Sequence, residues 1–363
     1  MADFFEIDIL PVETKKSGDA LALRYRLDGL TWVHVVDGGY QSTGPAVVEH
    51  IAKYYDGATY IDNVVVTHPD GDHAGGLRTV LEECEVGTLW MLRPWLYAAE
   101  IIDRFTRFSS VENLERRLRE VYPNLVALEE IAIRKGIPIE DPFQGTTIGH
   151  FHVLAPTKAR YLDLVVASER TPESVKEAEE TALTKVGSFF EATAARLVNL
   201  VKAAWGEESF STQETSAENE MSVVQYAELL GERIVLTGDA GRAGLAEAAD
   251  YAPLVGLQLP GVDRFQVPHH ASRRNVSTEL LDRWLGPRLA TQPARGEEKF
   301  TAFISSALED PDHPRDSVVR ALIHRGARVI ATEGVGKRTG HNAPRRDGWV
   351  AATPLAYPEA NEE

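Results

Sequence analysis

A buried strand that runs straight into a string of cation ligands constrains this chain more than any other feature. Asn63 to Val66 reads as apolar strand text ending at Thr67, and the next residues are HPDGDHAGGL. His68, Asp70, Asp72 and His73 therefore place four ligand-type side chains within six positions of a strand end. Imidazoles and carboxylates hold Zn²⁺, and additional oxygen donors suit Mn²⁺. An extended loop here lets alternate side chains converge, with Gly71, Gly75 and Gly76 permitting a tight backbone path. The competing reading is a polar turn without special chemistry.

Around this segment the text alternates between strand and helix. Phe4 to Val12, Ala20 to Leu27, Trp32 to Val36 and Thr88 to Leu92 read as strands, while Pro45 to Tyr54 and Leu77 to Glu83 read as helices. Trp95 to Lys135 is helical text. Phe151 to Ala155 is a strand stopped by Pro156, and Pro172 to Ala204 carries a long amphipathic pattern. GEESFSTQETSAE reads as a polar linker. The rhythm then returns with strands at Ser222 to Tyr226, Arg233 to Thr237, Phe265 to Val267, Ala302 to Ser305 and Arg328 to Ala331. Helices are expected at Leu245 to Ala249, Thr278 to Leu285 and Arg315 to Arg325. The expectation is one α/β domain over residues 1–363, a sheet with helices on its outer face, and a helical insertion at about 95–215.

Composition narrows the partners. A formal net charge of −17 repels polyanions globally, so gripping a nucleic-acid backbone needs a local cationic surface. No run approaches the roughly 18 uncharged apolar residues of a membrane span, and the N-terminal text lacks a signal-peptide layout. The single cysteine, Cys84, excludes an intramolecular disulfide and fits a reducing cytoplasm.

Further segments join the first motif in a recognisable order. HPDGDH resembles the HxHxDH motif of the metallo-β-lactamase superfamily, with Asp70 standing where the second histidine usually is. That variant resembles the hydrolase domain of the competence protein ComEC and its soluble relatives. SGDALAL (Ser17 to Leu23), VVDGG (Val35 to Gly39), ENEMSVVQY (Glu218 to Tyr226), IVLTGDAG (Ile234 to Gly241), VPHHASRR (Val267 to Arg274) and the stretch His313 to Gly336 resemble the superfamily's later motifs. The resemblance implies an αββα sandwich with a two-metal site. One ion would use His68, Asp70 and Asn219, the other Asp72, His73 and His269 or His270, with Asp239 bridging. Asp37 would orient a ligand histidine or hold the loop, and Ser272 would bond a substrate oxygen or cap a turn. Asn219 is only an approximate replacement for the usual third-motif histidine, and Ala271 replaces a glycine.

The implied cofactors are two divalent ions, Zn or Mn, and the implied activity is metal-dependent hydrolysis. A phosphodiester in nucleic acid or a nucleotide is the leading substrate, with Asp70, Asp72 and Arg273 as catalytic candidates. Arg273 and Arg274, and the group Lys337, Arg338, Arg345 and Arg346, are candidate anion contacts, since a guanidinium forks onto phosphate. The alternatives are hydrolysis of a lactone, thioester, amide or β-lactam at the same site, and a partner-binding protein docking through the helical insertion.

Overall fold

The computed structural model describes residues 2–12, 15–170 and 205–359. Two seven-stranded sheets face each other. The first contains β1 (Phe4–Ile9), β2 (Ala20–Leu27), β3 (Leu30–Gly38), β4 (Tyr60–Val65), β5 (Glu85–Trp90) and β6 (Ile139–Glu140). The second contains β7 (Thr147–Ile148), β8 (Phe151–Ala155), β9 (Val224–Leu229), β10 (Glu232–Leu236), β11 (Arg264–Gln266), β12 (Phe300–Ile304) and β13 (Ala327–Ala331). The last strand, β14 (Lys337–His341), returns to the first sheet. The strand orders are β14-β1-β2-β3-β4-β5-β6 and β13-β12-β11-β10-β9-β8-β7.

Period-two alternation assigns each strand's two faces. Phe5, Ile7, Ile9, Leu21, Leu23 and Tyr25 point inward and meet Phe151, Leu236 and Phe303 of the opposite sheet. Ala20, Ala22, Val33 and Val35 point outward, under helices Gly44–Tyr54 and Leu77–Glu83. On the far side, helices Arg242–Tyr251, Thr278–Leu285 and Asp316–His324 cover the second sheet through Leu245, Trp284 and Leu322. Helix, sheet, sheet, helix: the layers make an αββα sandwich.

The span expected as a helical insertion is not set apart. Its strands β6, β7 and β8 belong to the two sheets, and Leu114, Leu118, Leu125 and Leu128 share a core with Ile51 and Leu77. The amphipathic stretch Pro172 to Ala204 lies outside the described residues. The expected linker is tied down at Glu208, which ion-pairs with the buried Arg325. The cationic text after Gly336 contains β14, which pairs with β1 from Phe5↔His341 to Ile9↔Lys337. The expected first strand stops at Ile9, two residues before Pro11, whose missing N–H cannot extend a ladder. No described helix is long and apolar enough to cross a membrane.

Strands β3 and β4 run parallel, as do β10 and β11. Their carboxyl ends therefore open on one edge of the sandwich, where ligands of parallel sheets collect.

Candidate metal centre

The motif after β4 begins as a bend and becomes one helical turn, Gly71–Ala74. This corrects the extended loop expected from sequence: Ala74 N–H donates to the Asp70 carbonyl at 2.8 Å, winding the chain so that Asp72 and His73 project from successive helical positions. Two of its three glycines are sterically required. A Cβ on Gly76 would lie 2.0 Å from the Gly38 carbonyl oxygen, and one on Gly75 would lie 2.5 Å from that of Gly71. At Gly71 the nearest atom is 3.5 Å away, so a side chain fits.

Asp239, in the turn after β10, sits at the middle of the cluster with each carboxylate oxygen facing a different set of donors. Oδ2 lies 3.7 Å from His68 Nε2 and 3.7 Å from His269 Nε2, and His68 Nε2 lies 3.8 Å from Asp70 Oδ2. Oδ1 lies 3.2 Å from His73 Nε2 and 4.0 Å from His270 Nε2. Asp72 Oδ2 completes that second set at 3.8 Å from His270 and 4.0 Å from His73. The histidine pair is thus divided, His269 to one set and His270 to the other.

Hydrogen bonds fix which ring nitrogens face inward. Asp37 Oδ2 accepts from His73 Nδ1 at 2.8 Å, so Nε2 faces Asp239. The same oxygen accepts from the Thr67 hydroxyl at 2.6 Å, leaving the Thr67 oxygen to accept from His68 Nδ1 at 3.0 Å. Asn275 donates to the Asp239 and Ala240 carbonyls, so its Oδ1 accepts from His269 Nδ1 at 3.0 Å. Three imidazoles therefore carry Nδ1–H and aim a lone pair at the cluster, the arrangement that outer hydrogen bonds impose on metal-binding histidines.

The inward atoms fit a cation. His68 Nε2, His73 Nε2, His270 Nε2 and Asp239 Oδ1 are buried without a hydrogen-bond partner, a state that costs about 1–3 kcal/mol per group when nothing compensates it. Asp72, His73 and His270 also form a compact triad of donor atoms, as do Asp19, His73 and Asp239. Protons substitute for cations in such a field. Burial opposes a charge on His270 most strongly, yet Asp239, Asp72 and Asp19 outweigh it and raise the imidazole to about 9. Burial likewise opposes ionisation of Asp239, but His73, His269 and His270 hold it well below the ordinary carboxylate range.

Other sequence candidates fall differently. Asn219 stands behind His269, with Nδ2 3.1 Å from His269 Nδ1, and its amide is engaged by Ser216 and Thr215. It packs against a histidine whose Nδ1–H is already given to Asn275, and in these contacts it does not sit between His68 and Asp70. Ser272 accepts from Arg274 N–H at 3.3 Å, a turn-capping contact. Arg273 enters the described contacts through its backbone carbonyl, which accepts from Ser211. The arginine brought to the cluster is Arg170, whose Nη2 lies 2.8 Å from Asp70 Oδ1.

Three neighbours escaped the sequence reading. Asp19 is buried with its oxygens 3.8 Å from His73 Nδ1 and 3.7 Å from His270 Nδ1; its signal was SGDALAL, quoted above without a role for the aspartate. Asn275 lies just beyond the histidine pair. His313, quoted above only as the start of a motif stretch, places its ring 5.4 Å from that of His269 and 5.8 Å from that of His270. Left-handed backbone at His269, His270 and Ala271 (φ 48°, 54° and 70°) turns the pair inward, and explains why glycine suits the third position.

No curated protein matches the chain. Residues 28–161, a span that holds Asp37 and His68 to His73, match the family model of the Metallo-beta-lactamase superfamily, whose members are mostly metal-dependent hydrolases.

Proposed function

We propose that this protein is a binuclear metal-dependent phosphodiesterase acting on nucleic acid or a nucleotide. The observation that carries the reading is the division of donors about Asp239: His68, Asp70 and His269 toward one oxygen, Asp72, His73 and His270 toward the other. Two divalent ions, Zn or Mn, held there supply an acidified water and neutralise charge developing on phosphoryl oxygens.

The chain's own residues do the rest. Asp37 and Thr67 hold His73 and His68 in the tautomer that leaves Nε2 open. Asn275 does the same for His269. Arg170 lies against Asp70 at the rim, where its fork can take a non-bridging phosphoryl oxygen. The aspartate at position 70, with its resemblance to ComEC-type hydrolase domains, favours this substrate class over a lactam.

A substrate panel tests the reading: bis-p-nitrophenyl phosphate, single-stranded DNA and a chromogenic lactam, with ion content measured on the same sample. Turnover of the phosphodiesters with about two ions per chain is expected. Turnover of the lactam alone, or a natively purified active protein without metal, overturns it.

A further inference from the structure

A large cavity among the described residues lies away from the metal centre. It is a groove of about 1170 Å³ along the open edge of the sandwich, where β14 and β13 end their sheets. Helix Gly44–Tyr54 forms one wall and the segment 343–353 crosses the other.

Its charge is opposite to that of the chain. Six of its lining side chains are Lys or Arg, and Glu49 is the single carboxylate among them. Two of the cations are spoken for: Arg346 contacts Asp8 and Glu6, and Arg338 contacts Glu6, all carboxylates buried beneath the floor. Lys53, Arg328, Lys337 and Arg345 remain against Glu49, within a protein of net charge −17. None of these four has a carboxylate partner among the described residues. A cationic concavity in an acidic protein concentrates anions locally. Tyr54 and Trp349 add aromatic rings at the same wall, 5.6 Å apart and nearly perpendicular.

The groove starts at the end of the first sheet from which the chain leads to Asp19. Lys337 pairs with Ile9, and Ile9 pairs with Leu21, two residues beyond Asp19. Two strand spacings, about 10 Å, separate Lys337 from Leu21, and Asp19 lies two residues, about 7 Å, further along that chain. From there four residues of β14, Lys337 to Gly340, carry the groove about 13 Å away from the site.

We infer that this groove is the track for a single-stranded nucleic acid whose scissile phosphodiester lies at the metal centre. The inference rests on the phosphodiesterase reading. Phosphates meet Lys337, Arg345 and Lys53 in turn, and bases have the rings of Tyr54 and Trp349 beside them; paired cations and aromatics are what sequence-tolerant strand binding uses.

The test is fluorescence anisotropy with a labelled single-stranded oligothymidylate, in an Asp72→Ala background that suppresses cleavage. Combining Lys53→Glu, Lys337→Glu and Arg345→Glu should weaken binding at least tenfold. It should also flatten the salt dependence by about two in log–log slope, as expected when three contacts to a single strand are lost. With Asp72 restored, bis-p-nitrophenyl phosphate turnover should stay within twofold of the parent. Alanine at the same three positions should give a smaller loss in the same direction, which guards against misfolding of the reversed variant. Unchanged affinity in both variants overturns the inference, as does equal binding of a polyglutamate peptide. If the triple variant loses the strand while the parent never hydrolyses the phosphodiester, the groove stands and the activity reading falls.

Discussion

Asp37 collects three donors at once: the Thr67 N–H at 2.9 Å, the Thr67 hydroxyl and His73 Nδ1. Only a carboxylate offers acceptors on both branches, so Asp37→Asn must turn an NH₂ toward one of these donors. We expect divalent-ion affinity to fall about 10–100-fold, the usual result of losing an outer hydrogen bond to a ligand histidine. Competition against a chromophoric chelator measures this, and an unchanged affinity would show that His73 needs no such support. Asp239→Asn strikes the residue that both donor sets share. Its shape survives, so the variant should stay folded by circular dichroism. Turnover should fall about 100-fold or more, with ion content dropping below that of the parent. Full ion content in that variant would show that ion binding does not need the Asp239 carboxylate. Both residues stood in motifs, and the resemblance implied that Asp37 would orient a ligand histidine or hold the loop; which histidine it serves, 36 positions away, is set by strand order.

The elements divide in the same way. Helices Gly44–Tyr54 and Thr278–Leu285 announce themselves by apolar spacing and by Pro45 or the capping residue Ser277. Strand β14 was hidden, because KRTGH alternates no apolar face and gains its place only from pairing with β1. The segment around Glu208 was hidden for a related reason: polar text reads as linker until its partner is known. Glu208 reaches Arg325 and His324 on the helix Asp316–His324 and its cap, and Thr278 on the neighbouring helix. Burial opposes its ionisation most strongly, but hydrogen bonds from His324 and Arg325 prevail and hold the carboxyl down to about 2. A depressed carboxyl stabilises the fold above its ordinary value of 4.5 and loses that contribution as pH falls toward about 2. Glu208→Gln should therefore flatten the acid side of the stability profile between those limits. At neutral pH, Glu208→Ala should cost about 3 kcal/mol by urea denaturation. That is the low end for orphaning a buried charge, because Asp282 still contacts Arg325 at 2.7 Å. Parallel acid profiles for Glu208→Gln and the parent would refute the linkage.

At the scale of the molecule, the candidate centre is a clamp between the two sheets. His68, Asp70, Asp72 and His73 follow β4 of the first sheet, whereas Asp239, His269 and His270 follow β10 and β11 of the second. No single segment could have revealed how the halves interlock, since left-handed backbone alone sends His269 to one side and His270 to the other. Five aspartates converge here, at positions 19, 37, 70, 72 and 239. Thr67, Gln266 and Arg170 relieve part of their mutual repulsion at Asp37, Asp19 and Asp70, and histidine protons or cations must offset the rest. Ion binding should therefore couple directly to global stability, because the donors separate when the sheets separate. An ion present at 100 times its dissociation constant contributes about 2.7 kcal/mol. For a chain of 363 residues that corresponds to a melting temperature about 3.5 °C higher per ion. Chelator should lower the melting temperature of the loaded protein by at least that amount, and Zn²⁺ or Mn²⁺ should restore it. Asp239→Asn should show little response to either treatment. If the loaded protein, its ions verified, melts at the same temperature before and after their removal, the donors are not bridging the sheets.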